Sequence, residues 1–169
     1  SLRYNIGYWL GGTRIGLTTY LSINETGRLQ IGKTSRIKGR VLTIGRDSTL
    51  SIGEGALIEG DIRIGDNCRV QIGDNFKLLG KASLTIDDHS VATWGNDCLV
   101  ESVVPFRNQI RVISGSFYTG NNSNIRGDIV VQQGNFRMGS NSFINTGSEV
   151  RCEESIEIGD YVFVSYFVD

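Results

Sequence analysis

The residues of this chain best suited to proton transfer lie in the segment "TIDDHS", where His89 directly follows Asp87 and Asp88. An imidazole titrates near neutral pH, and a neighbouring carboxylate can orient it, so this group could act as a general base. His89 is the only histidine of the sequence. Any acid–base chemistry that needs an imidazole from these 169 residues would therefore depend on it.

An internal repeat points instead to a structural role for His89. The segment "IDDHSV" aligns with "IGDNCR" and "IGDNFK", so His89 occupies the position of Asn67 and Asn75. Asn, Asp and His are the residues enriched in the left-handed backbone region. We predict that His89 is a corner residue required for its backbone conformation. Catalysis and contact with a partner are the alternatives.

Two pairs of adjacent carboxylates, Asp87–Asp88 and Glu153–Glu154, are further candidates for acid–base work. Both pairs fall at predicted corners, and we interpret them as solvated turn residues. The sequence contains no glycine-rich loop that follows a strand and opens a helix, so it predicts no phosphate loop.

The cysteines are predicted to be structural. Cys68 and Cys98 occupy the same repeat position, which Ser or Ala fills elsewhere, so we expect them to be buried and to face the axis of the fold. Their spacing is not that of a metal site, and we expect no metal. Three free thiols favour a reducing, cytoplasmic location.

Glycine-containing turns recur about every 20 residues and define three columns. The first column is Gly32, Gly53, Gly73, Gly95, Gly120, Gly139 and Gly159; the second is Gly39, Gly60, Gly80, Gly127 and Gly147; the third is Gly45, Gly65, Asp87, Gly134 and Glu154. Short segments such as "LTI", "RVQI" and "SIEI" separate the columns and alternate aliphatic with polar residues, as half-buried strands do. Three corners per repeat indicate a three-sided coil.

The sequence therefore predicts an all-β fold, a parallel β-helix of about six or more turns with about 20 residues per turn. We expect one domain over residues 1–169. Equal short sides favour a left-handed triangular prism. A right-handed coil is the alternative, because the turns are slightly longer than three hexapeptides. No segment has a sustained helical period, so no long helix is predicted.

Two segments depart from the repeat. Residues 1–28 include "SLRYNIGYWLGG" and are predicted to form an N-terminal cap and the first turn, with contact to a neighbouring subunit or a membrane-associated enzyme as the alternative. The step over Val103–Tyr118 contains the only proline and predicts a loop that leaves one corner. Residues near Pro105–Arg107 would either shape a pocket or form a plain surface bulge.

Charge and hydropathy exclude two classes of partner. The formal net charge is −1, and no basic stripe with interleaved aromatic residues is present, so nucleic-acid binding is not expected. No apolar stretch is long enough to predict a transmembrane segment.

The repeat, together with "SFINTGSEVRCEESIEIGDYVFVSYFVD" from Ser142 to Asp169, resembles the hexapeptide-repeat acyltransferases, which include the galactoside and maltose acetyltransferases and many polysaccharide O-acetyltransferases. The resemblance implies transfer of an acetyl group from acetyl-CoA to a hydroxyl or amine of a sugar or surface-polysaccharide precursor. It also implies a homotrimer whose sites lie between adjacent coils, with no metal requirement.

The resemblance also implies roles for individual residues. Asn145 matches an asparagine that hydrogen-bonds the acceptor or the tetrahedral oxyanion in this family. Ser165 matches a position near the thioester of the cofactor, acetyl-CoA. The catalytic histidine of the family, which takes the proton from the acceptor, would follow Asp169 and is not in the given sequence.

The sequence ends part-way round a predicted turn, on an apolar strand, whereas solenoids need an end cap. We therefore expect a truncated portion of a longer protein. The alternative function is a non-catalytic structural or binding β-helix, either a scaffold or a filament-forming protein. An ice-binding coil is disfavoured, because the outward positions mix Arg, Gln, Glu, Asp and Lys.

Overall fold

The computed structural model describes residues 2–4, 9–10, 12–16, 19–103 and 108–167. Within these ranges, all regular secondary structure is β-strand. The strands form a parallel β-solenoid of about 7 turns with about 21 residues per turn. The predicted all-β parallel coil is confirmed, and its left-handed sense stays a prediction.

The strands are short and evenly spaced along the chain. In chain order they are β1 (Leu2–Tyr4), β2 (Trp9–Leu10), β3 (Thr13–Ile15), β4 (Tyr20–Ile23), β5 (Arg28–Ile31), β6 (Arg36–Ile37), β7 (Val41–Ile44), β8 (Thr49–Ile52), β9 (Leu57–Ile58), β10 (Asp61–Ile64), β11 (Arg69–Ile72), β12 (Lys77–Leu79), β13 (Ser83–Ile86), β14 (Val91–Trp94), β15 (Leu99–Glu101), β16 (Gln109–Ile113), β17 (Ser116–Thr119), β18 (Asn124–Ile125), β19 (Asp128–Gln132), β20 (Asn135–Met138), β21 (Phe143–Ile144), β22 (Glu149–Cys152), β23 (Ser155–Ile158) and β24 (Phe163–Val164).

Three sheets form the faces of the coil. The first face contains β1, β4, β7, β10, β13, β16, β19 and β22; the second contains β5, β8, β11, β14, β17, β20 and β23; the third contains β2, β3, β6, β9, β12, β15, β18, β21 and β24. From β3 onward each strand pairs in parallel with the strand three further along, as where Ile62 pairs with Leu42 and with Leu84. Near the N-terminus, β1 pairs with β4 and β2 with β3 in antiparallel fashion.

Strand alternation places the core on the axis of the coil. In β11, Val70 and Ile72 are buried while Arg69 and Gln71 are exposed. Along the second face the interior holds an aromatic stack, in which the ring centroids of Trp94 and Phe117 lie 4.9 Å apart. Because successive turns bury the same column, the apolar core is continuous along the described coil.

At the corners between the second and third faces, the Asp or Asn that follows a glycine of the first column forms a hydrogen bond to the neighbouring turn. The Oδ1 atom of Asp74 accepts the backbone N–H of Glu54 at 2.8 Å, and Oδ1 of Asn96 accepts the N–H of Asp74 at 2.8 Å. Each Asp or Asn side chain thus ties its turn to the previous one. The glycine columns lie at corners, as predicted.

The predicted corner positions of Cys68, Cys98 and His89 are confirmed, as is the burial of both cysteines. Cys68 and Cys98 are buried, at 3% and 2% exposure, and the Cys98 thiol donates to the Gly120 carbonyl at 3.0 Å. His89 has φ 61° and lies beside Asp66, whose carbonyl accepts the His89 backbone N–H at 2.9 Å. Its residue type therefore fits the left-handed backbone region.

The predicted loop over Val103–Tyr118 was drawn too wide. Strand β16 and most of β17 lie inside it and pair in register with both neighbouring turns. The repeat is hard to see there because seven residues, 102–108, separate β15 from β16, where three separate β12 from β13 in the preceding turn. Pro105–Arg107 lie outside the described residues, as do residues 5–8 of the predicted N-terminal cap.

Candidate functional site

The two residues singled out by the family resemblance lie at the same corner of consecutive turns. Asn145 follows β21 and Ser165 follows β24, and these strands pair with Ile144 opposite Val164. The backbone N–H of Asn145 donates to the carbonyl of Val164 at 3.0 Å. The Asn145 corner, defined as residues 145–148 and 165–167, therefore brings both residues together between the third and first faces.

Hydrogen bonds within the turn hold Asn145 in place. Its side chain is 2% exposed, and its Oδ1 atom accepts the backbone N–H of Thr146 at 2.8 Å. The hydroxyl of Ser148 donates to the carbonyl of Ser165 at 2.7 Å and links the two turns. Because Oδ1 is occupied, the Nδ2 amide is the part of this side chain that could donate to a ligand oxygen.

An aromatic and cationic column runs along the third face beside this corner. The rings of Phe143 and Phe163 lie 5.2 Å apart, and the Arg126 guanidinium lies 5.3 Å from the centroid of the Phe143 ring. Arg126 also pairs with Glu101, with its Nη2 atom 3.1 Å from Oε2. The column offers an apolar shelf that ends at the Arg126–Glu101 ion pair, which suits an amphipathic ligand.

The outer surface of the corner is aromatic as well. Phe167 has φ 53° and occupies the corner position of Gly147, whose φ is 76°. Its ring lies over Gly147, so that a Cβ at Gly147 would be 2.6 Å from Cδ1. Phe167 is 69% exposed and Tyr166 is 60% exposed. Large apolar side chains therefore surround the corner and face solvent.

Sequence reasoning did not identify the Arg126–Phe143–Phe163 column. The signal was present, since Phe143 and Phe163 occupy the same position in successive repeats. Arg126 stands one residue beyond β18, and only the register of β18 with β21 brings it beside Phe143.

The other chemically suggestive residues lie away from the Asn145 corner. His89 lies between β13 and β14, at a corner of the first and second faces, whereas Asn145 lies between the third and first faces. Strand β13 is three turns from β22, roughly 14 Å along the axis at about 4.8 Å per strand. His89 and Asn145 therefore do not form one site. Glu153 and Glu154 are exposed at the corner after β22, as predicted.

The Cys68 and Cys98 thiols are not suited to nucleophilic chemistry. Burial raises the pKa of the Cys68 and Cys98 thiols, which disfavours the reactive thiolate. Among the described ranges, no group of three or more His, Cys, Asp or Glu side chains could hold a metal ion. Within the same ranges, no helix is long and apolar enough to span a membrane.

Comparison with known proteins gives similarities of fold. No protein family and no curated protein matches the sequence. Among solved structures, the chain is similar to a provisionally assigned acetyltransferase of Bacillus cereus, with 15% identity, a TM-score of 0.47, and coverage of 83% of this chain and 74% of that one. It is also similar to the polySia-specific acetyltransferase NeuO, with 16% identity, a TM-score of 0.38, and coverage of 86% and 82%. At these identities and scores, neither similarity carries an argument about function.

Proposed function

We propose that the protein is an acyltransferase of the hexapeptide-repeat type, which moves an acetyl group from acetyl-CoA to a hydroxyl or amine of a sugar or surface-polysaccharide precursor. The observation that supports this most directly is the stacking of Asn145 and Ser165 at one corner of consecutive turns. The sequence resemblance assigns these two residues to one site, and they are neighbours in space. The protein would act in the cytoplasm as a homotrimer.

In the proposed reaction, the acceptor oxygen or nitrogen attacks the carbonyl carbon of the thioester, and the carbon–sulfur bond then breaks to release the CoA thiol. A neutral alcohol is a poor nucleophile, so a base must take its proton. The family supplies a histidine for this step. His89 does not serve here, because it lies at another corner three turns away.

Asn145 would stabilise the tetrahedral oxyanion through its Nδ2 amide. Its Oδ1 atom is held by the Thr146 N–H, which fixes the orientation of the carboxamide in advance. A donor fixed in this way is worth about 3–4 kcal/mol of barrier in well-studied acyl-transfer sites. The Phe143–Phe163 shelf would pack against the apolar arm of the cofactor, and Arg126 would lie near its charged end.

Thiol release from acetyl-CoA, measured with sugar acceptors and protein expressed from the complete reading frame, tests the proposal. Asn145→Asp keeps an oxygen to accept the Thr146 N–H but loses the Nδ2 donor, so it should fold and lose turnover by about 100-fold or more. Ser155→Ala, on the exposed second face of the same turn, is the matched control and should keep full activity. Equal activity of both variants would exclude the role of Asn145.

One observation favours a second function, a non-catalytic scaffold or filament-forming coil. Asn145 is 2% exposed and its Oδ1 atom is bonded within its own turn, as expected of a residue that only shapes the corner. Binding of acetyl-CoA separates the two functions. A dissociation constant below about a millimolar supports the transferase. No binding at that concentration supports the scaffold.

A further inference from the structure

A polar groove lies at the edge between the third and first faces, two turns from the Asn145 corner at its nearest residue. It has a volume of about 630 Å³ and spans the turns that contain β7, β10, β13 and β16. Asp61, Ser83 and Gln109 form its floor, since they are successive outward residues of one column of the sheet. Gln109 is the lining residue nearest to that corner, and it lies two turns from Glu149, the first residue after the corner, roughly 10 Å at about 4.8 Å per strand. The groove is therefore a separate feature.

Cations line the groove in excess. Asp61 lies between two arginines, with its Oδ2 atom 3.6 Å from Nη2 of Arg40 and 3.4 Å from Nη2 of Arg63. One carboxylate thus serves two guanidinium groups, each of which has five N–H donors. Lys81 is exposed at the rim and forms no ion pair with any described residue.

The remaining carboxylate of the lining does not cancel this excess. Glu59 pairs with Lys38, with Nζ 3.6 Å from Oε1, and Lys38 lies outside the lining. With that pair neutral, Arg40, Arg63 and Lys81 stand against Asp61 alone. Over the lining residues and Lys38, four cations therefore face two carboxylates, and a further carboxylate, that of Asp128, accepts the backbone N–H of Gln109 at 2.8 Å at the far end of the groove.

The position of Asp61 is itself well fixed. Its Oδ1 atom accepts the backbone N–H groups of Arg40 and Val41, both at 3.1 Å, so one oxygen anchors the carboxylate to the adjacent turn. The other oxygen is left to orient the two guanidinium groups. Arg40 is highly exposed and Arg63 about half-exposed, so their free N–H donors can reach a ligand.

We infer that this groove binds a sugar-sized ligand with one anionic group, either a phosphate or a carboxylate. Guanidinium groups match both oxyanions in geometry and charge. The Ser83 hydroxyl and the Gln109 carboxamide form no side-chain hydrogen bond within the described ranges and would receive the hydroxyl groups of the ligand. The volume lies within the range of about 300–1,000 Å³ that is usual for small-molecule sites. This assignment does not depend on acyl transfer.

Titration calorimetry and amide NMR with four probes test the assignment: glucose 6-phosphate, glucuronate, inorganic phosphate and glucose. We expect at least one of the anionic sugars to bind more tightly than glucose by about tenfold, with shifts confined to the turns of β7, β10, β13 and β16. Binding of glucose 6-phosphate and inorganic phosphate alone would identify a phosphate ligand. Binding of glucuronate alone would identify a carboxylate ligand.

Two charge variants and a control decide whether the groove is responsible. Arg40→Gln and Lys81→Gln should each weaken binding of the anionic sugar by about threefold to tenfold, because each removes one exposed cation. Arg69→Gln removes an exposed cation from the second face of the same coil and should leave binding unchanged. Equal weakening by all three variants, or no preference for anionic sugars over glucose, would overturn the assignment. Circular dichroism confirms that the variants fold.

Discussion

The clearest test of the stacked geometry compares the same substitution at two equivalent glycines. Gly73 and Gly159 both begin a corner between the second and third faces, each in an "IGD" sequence. A Cβ at Gly73 would be 2.5 Å from Oδ1 of Asn96 and 2.6 Å from the carbonyl carbon of Gly95 in the next turn. A Cβ at Gly159 would have no atom within 4 Å.

The expected costs follow from these distances. At Gly73 the obstructing carbonyl carbon belongs to backbone that is bonded into the coil, so it cannot move without breaking the N–H···O bond from Gly95 to Thr119. Forcing a methyl group into such a site costs about 1–3 kcal/mol. Neither glycine has a positive φ, so the effect of Gly→Ala on the backbone conformational free energy is similar at both positions. Gly159→Ala should change the free energy of unfolding by less than about 0.5 kcal/mol.

Urea denaturation of the 169-residue chain, followed by circular dichroism, measures both variants. We expect a lower midpoint for Gly73→Ala and an unchanged midpoint for Gly159→Ala. Equal destabilisation by the two substitutions would show that these glycines are needed for a reason other than the approach of the next turn. That result would refute the stacking geometry derived for this corner.

Three further predictions concern the coil. Ser142→Ala removes the hydroxyl that donates to the Gly159 carbonyl and accepts the Val162 N–H, so it should lower the free energy of unfolding, measured in urea, by about 1–3 kcal/mol. Ser142→Cys should lower it less, because Cys98 fills the equivalent position and its thiol donates to a backbone carbonyl there. Asp128→Asn should raise the melting temperature at pH 7, because burial raises the pKa of the Asp128 carboxyl and its ionised form therefore destabilises the folded chain. This gain in melting temperature should disappear as the pH falls below 3.8, where the carboxyl is protonated in both the folded and the unfolded chain. A gain that persists there would contradict this cause. Phe117→Ala should cost about 3–5 kcal/mol by opening a cavity between Trp94 and Phe136, and a loss below about 1 kcal/mol would mean that the aromatic stack relaxes freely.

The fold could be predicted because the coil repeats its own local rules. Most of the four-residue corners contain a residue with left-handed backbone, and Asn67, Asn75 and His89 reveal it in the sequence. Each strand needs an aliphatic residue at alternate positions, and each turn repeats both signals. The repeat was lost after Glu101, where a connection of seven residues displaces the motif while the strands continue.

The candidate sites were less predictable, because they depend on which residues the turns place side by side. The resemblance identified Asn145 and Ser165, and their contact follows from one strand register. The cationic groove depends on Arg40 and Arg63, which are separated in sequence and meet only around Asp61. Nothing in the local sequence of either arginine distinguishes it from other exposed cations on the coil.

Hydrogen exchange of the protein with and without acetyl-CoA tests the proposed function most directly, because it locates the bound cofactor on the coil. We predict slower exchange at the backbone amides of residues 143–148 and 163–167 and little change around His89. Protection confined to another corner would contradict the placement of the site, and no protection at about millimolar acetyl-CoA would contradict the transferase itself.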